Sequence, residues 1–139
     1  MKQAVAIGLK IPDNTAYTAL VTLRRLGVAV EGVERSEIYL FEGDSDADTL
    51  AQRIETDETI FNPNKHRLTL LDTDAPRSGE VWIEPISRPK GEAGRAAEAW
   101  RLFDESGAPV EPSVLAAAIE CLLCNPAIER AVTTHERSA

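Results

Sequence analysis

The sequence predicts an α/β protein of the α+β kind, assembled from two related halves. Three observations carry that expectation. Apolar residues alternate with the period of a strand in several stretches, apolar stripes with helical spacing lie between them, and short phrases recur in the same order along the chain. The phrases are LFE at Leu40 to Glu42 with LFD at Leu102 to Asp104, LAQRIE from Leu50 with LAAAIE from Leu115, and NPNKHR from Asn62 with NPAIER from Asn125. Residues 1–72 then form one repeat, 73–80 a linker, 81–134 a degenerate second repeat and 135–139 a tail. The expected architecture packs the antiparallel-mixed sheets of the two repeats against each other, with the helices outside.

The first half reads clearly. Residues Ala4 to Ile11 alternate, with Val5, Ile7, Leu9 and Ile11 on one side and the small Ala4, Ala6 and Gly8 on the other. Asp13 or Asn14 is placed to cap a helix whose stripe is Ala16, Ala19, Leu20, Leu23 and Leu26, and Gly27 supplies its stop. From Val28 to Glu42 the chain reads as extended, with apolar bulk on both faces, so each face needs a cover. Asp44, Ser45 or Asp46 caps a second helix carrying Leu50, Ile54, Asp57 and Phe61 along one side. A residue before proline is pushed out of the helical region, so Asn62-Pro63 ends that helix and turns the chain into a strand from His66 to Leu71.

The second half repeats the pattern in shortened form. VWIEPISRP opens it as VAIGLKIP opens the first, but the distance to LFD is shorter than the distance to LFE by about four helical turns. The first helix is therefore expected to be missing. SRPKGEAGRAAEA, with its glycines and proline, reads as a long loop or one short helical turn.

Composition narrows the function. The chain has 139 residues and a formal net charge of -8, which argues against nucleic acid or an anionic membrane, since both are held by clustered cations. No apolar run approaches the roughly 20 residues of a membrane span, the opening MKQAVAIGLK is too short for a signal peptide, and the expected location is the cytoplasm.

Several constellations have a structural explanation that outweighs the chemical one. Cys121 and Cys124 form a C-x-x-C, yet they end an apolar helix, where the dipole has the wrong sign to activate a thiolate; small buried side chains are expected. Zinc lacks ligands, because His66 and His135 show no finger spacing. DSDADTLAQRIE places carboxylates as a calcium loop would, but Thr49 stands where that loop turns on glycine, so helix capping is the better account. Trp82 and Trp100 fit core or interface anchors in strands. No catalytic, metal or cofactor site is expected. Arg88, Lys90 and Arg95 are the one candidate set for binding a small anion.

AYTALVTLRRLG (Ala16 to Gly27), V-x-x-V-x-R (Val30 to Arg35) and LAQRI followed by NP, with LLCNPAIE (Leu122 to Glu129) in the second half, resemble the PurS subunit family of bacterial phosphoribosylformylglycinamidine synthase. Ser36-Glu37 stands where the family carries glycine and lysine. The resemblance implies a ferredoxin-like protein without an active site of its own, able to form a homodimer, that bridges a glutaminase and a large ATP-dependent ligase in purine biosynthesis. An alternative function is a ferredoxin-like regulatory module that binds a small anionic metabolite through Arg88, Lys90 and Arg95.

Overall fold

The computed structural model of the protein describes residues 2–42, 46–89 and 92–134. Its first half contains β1 (Lys2–Leu9), α1 (Asn14–Arg25), β2 (Gly32–Glu42), α2 (Ala47–Glu55) and β3 (His66–Leu70). The second contains β4 (Glu80–Pro85), β5 (Gly94–Phe103), α3 (Pro112–Ala118), a π-helical turn (Ile119–Leu123) continuing from α3, and β6 (Glu129–Thr133). All six strands belong to one sheet in the order β3-β1-β2-β5-β4-β6, and every neighbouring pair is antiparallel. The fold is therefore α+β.

The halves do not stack face to face as expected. They join edge to edge through β2 and β5, paired from Gly32 with Phe103 to Leu40 with Gly94. The physical reason is that the long strands β2 and β5 each have one set of ladder groups left over within their own half, and pairing them satisfies both sets. Read inward from the two edges, the strands run β3-β1-β2 and β6-β4-β5, so the halves have the same order.

Register assigns every side chain to one of two faces, because directly paired residues point the same way. Val5 pairs with Tyr39, Val33 with Leu102, Arg35 with Trp100, and Trp100 with Val81, which places them on one face. The described helices pack on that face. Leu50 and Ile54 of α2, with Phe61, cover Val5 and Ile7. Ala19 and Leu23 of α1 join Leu115, Ala118 and Leu123 over Val81, Ile83, Trp100 and Leu102. Thus α1 belongs to the first half but roofs strands of the second, which explains how the second half covers its sheet with no counterpart of α1 among the described residues.

The opposite face holds Ala4, Ala6, Ile38, Leu40, Trp82, Ala97 and Ala99. It is covered by chain rather than by helix. Leu71 packs into this cluster, and Arg77 lines a hollow with Ala6, Gly8, Arg67 and Thr69. The segment expected as a linker, 73–80, is consequently a strap across the sheet. The Arg101 Nε donates to the Ser78 carbonyl at 3.1 Å, and the Thr134 hydroxyl donates to the Pro76 carbonyl. Beneath the strap, Glu80 is only 1% exposed and takes bonds from Arg77 Nη2 and the Arg77 N–H, both at 2.8 Å, and from the Trp82 indole at 3.2 Å. A buried carboxylate is tolerable because each bond returns part of its lost hydration.

Three further expectations need correction. Ile11 lies beyond the end of β1 and Leu26 beyond the end of α1, and both are exposed. The last part of the stretch expected as a second-half loop, from Gly94 to Ala99, is strand β5, in which Ala96, Ala97 and Ala99 are buried. Alanine scores poorly for strands on its own, but here its smallness lets Trp82 lie opposite Ala99. Finally, LFE and LFD match in letters and not in space. The sheet register shifts between Ile38 and Tyr39, leaving Ala96 as an extra residue in β5; Leu40 joins the strap-side cluster, whereas Leu102 lies under the helices.

The repeated Asn-Pro phrase, in contrast, builds one turn twice. The Asn62 side-chain oxygen accepts from the Asn64 N–H at 2.9 Å, and the Asn125 one from the Ala127 N–H at 3.1 Å. In each turn the asparagine carbonyl accepts from the backbone four residues on, at 2.7 Å from His66 and 2.8 Å from Glu129. Each asparagine N–H donates to the side chain of that same fourth residue, His66 Nδ1 or Glu129 Oε1, both at 2.9 Å. The hexamer does shape.

Candidate functional site

The charged centre of the helical face is Arg35. β2 carries it beside the start of α1 and opposite β5, where its Nε donates to Asp13 Oδ2 at 3.1 Å and its Nη1 to Glu98 Oε2 at 3.0 Å. Asp13 also caps α1 by accepting from the Ala16 N–H at 3.1 Å. One guanidinium therefore ties a helix start to two strands. Burial pulls the Arg35 pKa down, but its bonds and attraction to Asp13 and Glu98 outweigh that and leave it above the ordinary arginine value. Hollows of about 140 and 130 Å³ adjoin the cluster; Arg67 and Arg77 line the first, Glu37 and His66 the second. With two carboxylates on one cation, the cluster fixes geometry rather than attracting an anion.

The structure gives two of the candidate anion contacts, Arg88 and Arg95, partners of their own. Arg88 spends its donors on the Pro89 carbonyl at 3.4 Å, the Ala93 carbonyl at 3.3 Å and the Glu92 carbonyl, so it clamps its own loop. That clamp is held in turn by Arg130, which donates to the Arg88 carbonyl at 2.9 Å and to Glu84 at 2.8 Å. Arg95 pairs with Glu37 at 3.5 Å. Lys90 lies outside the described residues. Arg88 and Arg95 do line one cavity of about 200 Å³, together with Glu98 and Glu129. Two carboxylates on the wall offset the two cations.

The remaining candidates fall where packing places them. Trp82 is buried on the strap side and Trp100 under the helices. Cys121 is exposed, contrary to the expected burial, because the π-turn changes the angular spacing of the residues after α3. Cys124 is half-buried, and burial followed by the charge of Glu129 pushes its thiol pKa up, away from reactivity. Asp46 caps α2 by accepting from the Thr49 N–H at 2.8 Å, while Asp44 and Ser45, like His135, lie outside the described residues. Among the described residues no three His, Cys, Asp or Glu side chains converge as a metal site would require, and no helix is long and apolar enough to cross a membrane.

Sequence reasoning missed the Asp13–Arg35–Glu98 and Arg77–Glu80–Trp82 clusters. The members of the first are far apart in the chain and only the fold brings them together; those of the second are close in sequence, but Arg77 and Glu80 sit in a stretch read as a linker, where their spacing was the one readable hint. Comparison of the chain with family models, curated proteins and solved structures finds no match.

Proposed function

We propose that this chain is a noncatalytic assembly subunit of the PurS kind, bridging glutaminase and ATP-dependent ligase subunits in formylglycinamidine ribonucleotide synthesis. One observation carries the reading: two halves of equal strand order share a single sheet, as if a dimer had been written into one polypeptide. The residues that bear the resemblance also have architectural roles. Ala16 to Gly27 forms α1 and its stop, Val30 to Arg35 leads into β2 and its charged tie, and LLCNPAIE forms the π-turn and the second asparagine turn. Such a body offers rigid edges and helix surfaces to partners, and its ion clusters hold those surfaces in place. Reconstitution with the glutaminase and ligase subunits tests the proposal. Glutamine-dependent turnover should require the chain while ammonia-dependent turnover proceeds without it; equal glutamine-dependent rates with and without it would refute the reading.

A second reading, a ferredoxin-like module that binds an anionic metabolite, draws on the cavity shared by Arg88 and Arg95. It requires that inorganic phosphate raise the melting temperature, and that replacing Arg88, Lys90 and Arg95 with alanine abolish the rise.

A further inference from the structure

A groove of about 450 Å³ runs between α1 and the π-turn, shaped by Thr15, Thr18, Thr22, Trp100, Leu122 and Leu123. No described residue lining it carries a charge. Trp100 is only 7% exposed. Its indole N–H has no hydrogen-bond partner among the described residues, although no buried side-chain nitrogen or oxygen among them lacks one. That N–H therefore reaches solvent, and Trp100 lines the groove. Trp82 is the contrast, since its N–H is occupied by Glu80 at 3.2 Å. The Thr22 hydroxyl is spent on the Thr18 carbonyl at 2.8 Å, whereas those of Thr15 and Thr18 have no partner among the described residues.

We propose that this groove binds a small, uncharged heteroaromatic molecule that accepts a hydrogen bond from Trp100 Nε1–H and rests its ring against Leu122 and Leu123. Each part of that description follows from the lining. A charged ligand would lose hydration with no opposite charge to replace it. A purely apolar one would cover the indole N–H and leave it unpaired, whereas a ring nitrogen or carbonyl would satisfy it. The volume falls in the range of small-molecule sites, and an aromatic ring in contact with leucine and indole gains most from burial. The inference is independent of the assembly role.

The test titrates the ¹⁵N-labelled protein with isoquinoline, a neutral bicyclic acceptor at slightly alkaline pH, and follows the two indole N–H signals by NMR, assigned with Trp100→Phe. The Trp100 signal should move downfield saturably with a dissociation constant on the order of 1 mM, as expected for a fragment of about ten heavy atoms, while the Trp82 signal stays in place. Thr18→Trp, which fills the groove from the exposed side of α1, should abolish the shift; Thr15→Trp serves as a second blocking variant if the first does not fold. A Trp100 signal unmoved to about 10 mM, equal movement of both indoles, or an undiminished shift in a folded blocking variant would overturn the proposal.

Discussion

At the scale of single residues, the two asparagine turns and the buried Glu80 make opposite kinds of demand. An Asx turn is a local device, and its loss costs one or two modest hydrogen bonds. Asn62→Ala and Asn125→Ala should each lower stability by about 0.5–1.5 kcal/mol in urea unfolding, and the two losses should add because the turns lie on opposite edge strands. Glu80 is different, because its charge is out of water and depends on Arg77. Removing only the cation strands the carboxylate. Arg77→Leu should cost about 2–4 kcal/mol, reduced from the fully buried case because Arg77 is itself 32% exposed; Glu80→Gln in the same background, which removes the charge but still accepts from the Arg77 N–H and the Trp82 indole, should recover most of it. A double variant no more stable than Arg77→Leu would show that the strap is held by packing and not by this pair. The turns were legible in the sequence, since proline and asparagine act on their own neighbours. Glu80 was not, because its burial depends on the segment just before it folding back across the sheet, and the polar composition of that segment reads as a linker.

At the scale of elements, three aspartates organise helix starts and turns and give the protein an acid dependence of definite sign. Asp46 accepts from the Thr49 N–H, Asp57 from the Thr59 hydroxyl and Asp104 from the Ser106 hydroxyl, and each is held below its ordinary value of 3.8. The folded state thus favours the ionised form more than the unfolded chain does. Its contribution is complete above the ordinary carboxylate range and is lost as pH falls through the lowered folded values. The urea midpoint should drop between about pH 5 and about pH 2, and the drop should shrink when all three are changed to asparagine, which still accepts the bonds but does not titrate. An unchanged drop would assign the acid sensitivity elsewhere. The caps of α1 and α2 were readable because capping is local and chemically distinctive. β5 was obscured because Ala96, Ala97 and Ala99 are chosen to accommodate the other strands and Trp82, and a neighbour across the sheet leaves no mark in a strand's own period.

At the scale of the whole molecule, the shared sheet ties the halves into one cooperative unit. β2 and β5 are each paired on both sides, and α1 and the strap both cross the boundary between the halves. Urea unfolding should therefore be a single transition by fluorescence and by circular dichroism, and a chain ending after residue 72 should not fold alone. Two separated transitions would mean that the seam between β2 and β5 is weak. The recurring phrases predicted two related halves and the element order, but the way in which the halves meet was beyond their reach: apolar bulk on both sides of a strand is equally consistent with stacking and with one broad sheet. Fusion through a common sheet also removes an equivalence. A pair of identical subunits presents two interchangeable rims, whereas this chain ends in HRLTL on one rim and ERAVT on the other. A neighbour selective for one rim finds a single seat per molecule, and the opposite rim stays open to a different guest.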